Sequence, residues 1–376
     1  MREGFLGTLR CPDCSGELRV SDRRARSGDD LVDGELTCIG CGRTYAVESR
    51  IPIFVERSSY ADGFGWQWNR FQKLQRDSYN GTHIVRDTIL RRSGWKPEDL
   101  RGKSLLECGC GSGNDTEVLS EMAGTVVSFD LSSAVESQRP EVLARDNVLV
   151  MRADINRIPV REESFDIVYC HRVIQHTPDP RRAFASMVRH LRPGGTFFLH
   201  SYDLHWKALL HYRYWLRPVT RHLPYPAVFR ALTIVGPVLY PVVGLLQRAA
   251  FLRIPLKLLV PFSNHDRVLR KNGSSLTRRE RYEYSVLITF DALTPRFDRP
   301  SSADTLASWF AEEGLVDFRV MHRSPAVVLG RKPLRPGDDA ANRAGSRRRS
   351  APRREVPRVA GIRDQGLLPQ ESLNVM

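Results

Sequence analysis

Ser104-Leu-Leu-Glu-Cys-Gly-Cys-Gly-Ser-Gly-Asn114 is a short apolar run that opens onto three glycines at alternate positions. The run predicts a buried strand, and the residues from Asp115 onward predict a helix. Glycines at 109, 111 and 113 let the backbone approach a ligand closely, with no Cβ in the way. Their spacing differs from the dinucleotide fingerprint, which carries a further glycine two residues on for its pyrophosphate turn. A glycine loop alone is a weak signal, so its neighbours decide its meaning.

Further apolar runs alternate with helical stretches. Val126 to Asp130, Val148 to Arg152, Phe165 to Cys170 and Thr196 to Ser201 all predict buried strands. That alternation predicts an α/β fold, a parallel sheet with helices on both faces. Asp130 ends the second strand, about 20 residues beyond the glycines, where a carboxylate accepts hydrogen bonds from both ribose hydroxyls of a nucleoside. Leu131 follows it, and Asp154 with Ile155 closes the third strand at the same edge. In an open α/β sheet the carboxyl edge is the ligand crevice, so Gly109, Cys110, Gly111, Gly113, Asp130, Asp154 and the end of the fourth strand converge on one bound nucleoside. Each carboxylate also has a structural alternative: Glu107 and Asp130 as partners at a strand end, Asp154 as the cap of a helical turn.

Taken in order, Leu105 to Gly113, Phe129-Asp-Leu-Ser132, Asp154 to Pro159, Phe165-Asp-Ile-Val168, Gln175-His-Thr-Pro-Asp179 and Leu191-Arg-Pro-Gly-Gly195 resemble successive motifs of the class I S-adenosylmethionine-dependent methyltransferases, of the methyltransferase type 11 kind. The resemblance covers about 100 to 202 and implies a Rossmann-like sheet. It implies that Glu107 and the Gly109 to Gly113 loop hold the methionine end of S-adenosylmethionine, Asp130 the ribose, and Asp154 with Ile155 the adenine, with His171 near the sulfonium. A fold kept only as a binding scaffold has no need of the glycine loop and both aspartates together. Methyl transfer from a sulfonium needs mainly alignment of acceptor, methyl and sulfur. A base is required only when the acceptor carries a proton that must leave. His171, His176 and Tyr202 are candidates, and none is assigned a catalytic role. For His176 the structural reading is the stronger, since a histidine before Thr-Pro-Asp fastens a helix start at Asp179.

Cys11-Pro-Asp-Cys14 and Cys38-Ile-Gly-Cys41 are two pairs separated by 23 residues, each spaced so that a tight turn brings both thiolates to one metal. Four sulfurs close a tetrahedral Zn2+ site with no open position, so the metal is expected to serve structure or recognition, not Lewis-acid chemistry. Cys108, Cys110 and Cys170 remain, with neighbours that suggest packing. The stretch from Leu9 to Phe54 is similar to ribbons fused to several bacterial methyltransferases.

The expected organisation is a zinc ribbon at 1–56, an aromatic connector and leading helix at 57–99, the cofactor-binding core at 100–202, an insertion at 203–300, a closing helix and strand pair at 301–333, and a disordered basic tail at 334–376. Phe64 to Phe71, with Trp66 and Trp68, either lids the cofactor or packs the ribbon to the core, the latter slightly favoured. The net charge of +14 is local: Asp203 to Tyr282 holds fourteen Lys or Arg against three acids. Within it, Ala231 to Leu246 is sixteen residues without charge, short of the roughly 20 that cross a bilayer and interrupted by Pro237 and Pro241. Arginines and aromatic residues flank it, including Arg217, Arg230, Arg253 and Lys257, a composition suited to an anionic membrane surface. The insertion is therefore expected to cap a small-molecule or lipid-linked acceptor, with peripheral membrane contact through 203–282. A hydrophobic cap packed on the domain, with its arginines in water, fits equally well. Ribosomal or transfer RNA is the less favoured acceptor, because the basic residues alternate with long apolar runs. The opening residues lack the apolar region of a signal peptide, which leads to an expectation of cytoplasmic location, peripheral at the membrane.

Overall fold

The computed structural model describes residues 1–56, 58–202, 211–249, 251 and 259–336. The tail beyond 336 and the basic positions Arg253 and Lys257 lie outside the described residues. Two sheets organise the chain. The first is antiparallel: β1 (Leu18–Ser27), β2 (Asp30–Cys38), β3 (Thr44–Glu48) and β4 (Ile51–Pro52), in that order. The second comprises β5 (Ser104–Cys108), β6 (Thr125–Asp130), β7 (Val148–Arg152), β8 (Phe165–His171), β9 (Leu191–Ser201), β10 (Val316–Arg323) and β11 (Ala326–Arg331), in the order β10-β11-β9-β8-β5-β6-β7.

Strands β5 to β9 run parallel, while β11 lies antiparallel to β9 and β10 antiparallel to β11. From β5 the chain winds outward through β6 to β7, then returns to add β8 and β9 on the other side. The order reverses between β5 and β8, and a crevice opens there at the carboxyl ends of the strands. Alternation along β9 sends Phe197 to one face and Phe198 to the other. Phe197 meets Phe184, whose ring also lies 5.0 Å from Phe310, and Phe198 stacks on Tyr169 at 4.7 Å. All of these rings are buried.

The ribbon is not a separate bead. Ile53 bridges in parallel to Arg152, Phe54 N donates to Arg152 O at 2.9 Å, and Leu9 bridges to Val160. Its apolar residues Leu9, Tyr45 and Phe54 share one core with Leu149, Ile155 and Ile158. The ribbon thus pairs the carboxyl end of the outer strand β7, at Arg152.

The insertion forms four described helices, Tyr212–Thr220, Tyr225–Leu246, Asp266–Lys271 and Arg278–Leu293, around a second core that includes Phe262, Leu287 and Phe290. The sequence expectation fails at one point here. Pro237 and Pro241 do not interrupt the apolar run, and a single 22-residue helix passes through both. Each proline forfeits one backbone bond, and packing of Val228, Leu232, Tyr240 and Val243 into the second core offsets that loss. Among the described residues this is the one helix long and apolar enough to cross a membrane by length and composition. The aromatic connector also differs from the favoured reading. Asp62–Arg70 is a helix that packs on the insertion through Trp66 against Phe290, and on the turn at Ser133, instead of on the ribbon.

Candidate functional site

One cavity lies over the switch point. Its walls come from the glycine loop, the ends of β6 and β7, the end of β8, the connector helix and the insertion. Gly109, Gly111 and Gly113 have φ of 84°, 51° and 83°, the left-handed region that glycine tolerates. A Cβ at Gly109 would lie 2.4 Å from Val173, and one at Gly113 would lie 2.5 Å from Gln138 Oε1. At Gly111 the nearest atom is Trp68 Nε1 at 3.5 Å, so the indole of the connector helix lies against the loop.

Asp130 organises this loop. Its Oδ2 accepts Gly111 N–H at 2.9 Å, and its Oδ1 accepts Ser132 N–H at 2.8 Å and Ser132 Oγ–H at 2.7 Å. Glu107 is buried, and its Oε2 accepts the hydroxyls of Thr116 and Ser128, each at 2.7 Å. Burial, then the charge of Asp115, pushes the Glu107 carboxyl up to about 8. Leu131, Ala153 and Ile155 line the cavity beside Asp130. Asp154 faces an adjoining groove shared with the ribbon, and its Oδ1 accepts Asn156 N–H at 2.8 Å. Tyr60 stands near both aspartates, and burial followed by their two charges raises its hydroxyl pKa.

The opposite end of the cavity belongs to β8, β9 and the insertion. His171 is clamped: Arg92 donates to its Nε2 at 2.8 Å, so its Nδ1–H faces Asp115 Oδ2 at 2.5 Å. Burial, reinforced by the Arg172 cation, lowers the His171 pKa to about 3. A neutral imidazole with both nitrogens engaged has no lone pair left to take a proton. Asp115 also accepts the Tyr169 hydroxyl at 2.8 Å. His176 differs, because its Nδ1–H donates to Phe297 O at 3.0 Å and leaves Nε2 for a ligand. Its ring packs on Phe64 and Tyr202, and burial lowers its pKa. The Asp179 side chain itself caps the following helix by accepting Arg182 N–H, so His176 fastens the insertion, not that helix start. Arg172 lines the same end with φ of 63° and a buried Nε without a partner. Asp291, raised in pKa by burial, and Gln67, whose Oε1 is buried without a partner, complete the wall.

Residues 106–199 match the family described as a methyltransferase domain, and residues 3–48 the family described as Trm112p-like protein. The core is a methyltransferase domain. The ubiquinone biosynthesis O-methyltransferase of Coxiella burnetii is 29% identical over 114 residues, 30% of this chain and 49% of the relative. A 37.1 kDa protein of a Streptomyces fradiae transposon is 36% identical over 112 residues, 29% of this chain and 32% of that one. The chain thus spans about half, or less, of the length of these curated relatives. Among solved structures, a complex of the Haloferax volcanii Trm112 methyltransferase activator with a methyltransferase aligns at 17% identity and a TM-score of 0.31, over 39% of this chain and 63% of that one.

The methyltransferase domain brings Glu107, Gly109, Cys110, Gly111, Asp130, Leu131, Ile155 and His171 to one cavity, and leaves Gly113 behind the loop against Gln138 and Asp154 in the adjoining groove. Sequence reading missed Tyr60, Asp115, Arg172 and Asp291, which no motif flags, and underrated Trp68. In the Trm112p-like ribbon the sulfurs of Cys11, Cys14, Cys38 and Cys41 lie within 4.8 Å of one another, with Cys14 to Cys38 at 3.4 Å and Cys11 to Cys41 at 3.7 Å. Sulfurs at 2.3 Å from a tetrahedral zinc ion stand about 3.8 Å apart, so the donor set fits that metal. Cys108, Cys110 and Cys170 are buried outside the cluster.

Proposed function

We propose that the chain transfers a methyl group from S-adenosylmethionine to an amphiphilic small-molecule acceptor, lipid- or saccharide-linked, in the cytoplasm at a membrane surface, with a structural zinc ion in the ribbon. The observation that carries this reading is the single cavity with two chemically different ends. At one end the glycine loop, Glu107 and Asp130 suit a nucleoside and an amino-acid group. At the other, aromatic walls from Phe64 and Tyr202 adjoin the Arg172 cation, which suits an acceptor with an apolar body and an acidic or polar group.

S-adenosylmethionine supplies the electrophilic methyl group; the protein's work is orientation and exclusion of water. Trp68 and Tyr60 cover the nucleoside end, Glu107 receives the cationic amino group, and Asp130 the ribose hydroxyls. Where the acceptor is a hydroxyl, His176 Nε2 is the group with a free lone pair to remove its proton. Its lowered pKa keeps it neutral, and so able to accept, at pH 7.

Calorimetric titration with S-adenosylhomocysteine tests the reading, comparing wild type with Asp130→Asn. An asparagine has one acceptor oxygen for two backbone N–H groups, so a tens-fold loss of affinity is expected, from about 2 kcal/mol. If wild type does not bind, the fold is a scaffold. If it binds, tritiated methyl groups from S-adenosylmethionine should enter the solvent-extractable lipid fraction of a cell extract; label in RNA alone would overturn the acceptor class.

A further inference from the structure

The Tyr225–Leu246 helix is apolar on both sides, which a helix packed on one side only cannot use. Val228, Leu232, Tyr240 and Val243 are buried against the rest of the insertion. On the opposite side Ile234, Val238, Val242 and Leu245, spaced four, four and three residues apart, are 69%, 66%, 45% and 61% exposed. That spacing is one helical stripe. A continuous exposed apolar stripe marks an interaction surface.

The charge beside it identifies the partner. Leu245, at the end of the stripe, also lines a groove whose rim carries Arg248, Arg267, Arg270, Arg278 and Arg281. Asp266 pairs with Arg270 at 3.1 Å and Arg281 at 2.7 Å. Arg248, Arg267 and Arg278 have no acidic partner among the described residues. Apolar stripe and uncompensated arginines meet at one end of one helix, the pattern that seats in the headgroup region of an anionic bilayer. The helix is held to the protein by its other face, where Asn264 Nδ2 donates to Tyr240 O at 2.6 Å and the Tyr240 hydroxyl donates to Asp266 at 2.9 Å. It can therefore lie in the interface without leaving the fold.

We infer that this face docks the protein on anionic membrane, with the stripe among the acyl chains and the arginine groove on lipid phosphates. The inference rests on the reading of an amphiphilic acceptor for its purpose, and the cofactor titration keeps the two apart. The test is co-sedimentation of the full chain with phosphatidylcholine vesicles containing 0% or about 30% phosphatidylglycerol, at low and high salt. Wild type is expected to sediment with the anionic vesicles only, less so at high salt. Ile234→Glu with Val238→Glu should weaken binding at least tenfold, and Arg248→Glu with Arg278→Glu by about fivefold or more per arginine. Both variants should bind S-adenosylhomocysteine as wild type does, since none of the four residues lines the cavity. Absence of wild-type sedimentation, or equal binding by the variants, overturns the inference. So does a wild-type dimer that the stripe variant dissolves, because a second copy would then be the occupant. RNA binding that needs the arginines but not the stripe, without vesicle binding, overturns it too.

Discussion

Replacement of Glu107 by glutamine should move stability and cofactor affinity in opposite directions. In the cofactor-free protein the carboxyl sits at about 8 against an ordinary 4.5, because it is buried and faces Asp115. A raised folded-state pKa means that the folded chain holds a proton the unfolded chain gives up. The stabilisation is complete below pH 4.5 and is lost as pH rises through about 8. Glu107→Gln keeps an oxygen to accept Thr116 and Ser128, which both donate to Oε2, and it never ionises. From 4.5 to pH 7, at 1.4 kcal/mol per unit, the wild type forgoes about 3 kcal/mol that the variant retains. Melting followed by circular dichroism should give equal midpoints near pH 4.5 and a variant higher by about 6 °C or more at pH 7. Calorimetry at pH 7 should show S-adenosylhomocysteine binding weakened about tenfold or more, since a charge-assisted hydrogen bond to its amino group is lost. A midpoint difference that does not change between pH 4.5 and 8 would refute the argument, as would unchanged affinity.

Three further outcomes are expected. Phe310→Ala empties a fully buried site that contacts Phe184 and Phe197, and should cost about 3–5 kcal/mol in urea unfolding. Once an acceptor is in hand, His176→Asn should lower kcat by about 10² to 10⁴ with unchanged S-adenosylhomocysteine affinity. The wild-type rate should rise with pH through a value below the ordinary 6.5, since burial depresses this imidazole, and the variant should lack that limb. Chelation of the ribbon metal should lower the melting midpoint, with restoration on adding Zn2+ but not Mg2+, because four sulfurs select the softer ion.

The strands were legible because each is a bounded apolar run, and the carboxyl-edge residues followed from where those runs end. The two cysteine pairs announced a metal cluster by spacing alone. Three features were not readable. The Arg92, His171 and Asp115 chain joins residues 56 and 79 positions apart, and local pattern carries no trace of such a meeting. Arg172 and Asp291 reach the cavity only because β8 and an insertion helix converge there. The prolines in the long apolar helix misled because their cost is local, whereas the packing that offsets it comes from the rest of the insertion.

The seam between ribbon and β7 ties the metal-ligand domain to the backbone beside the cavity. Ile53 and Phe54 hold the backbone of Arg152, one residue from Ala153 and three from Ile155 on the cavity wall. Whatever factor metal release subtracts from nucleoside affinity, nucleoside release must subtract from metal affinity, since the thermodynamic cycle closes. The equilibrium affinity for zinc, titrated against a competing chelator, is therefore the quantity in which occupancy of a cavity without metal ligands is read.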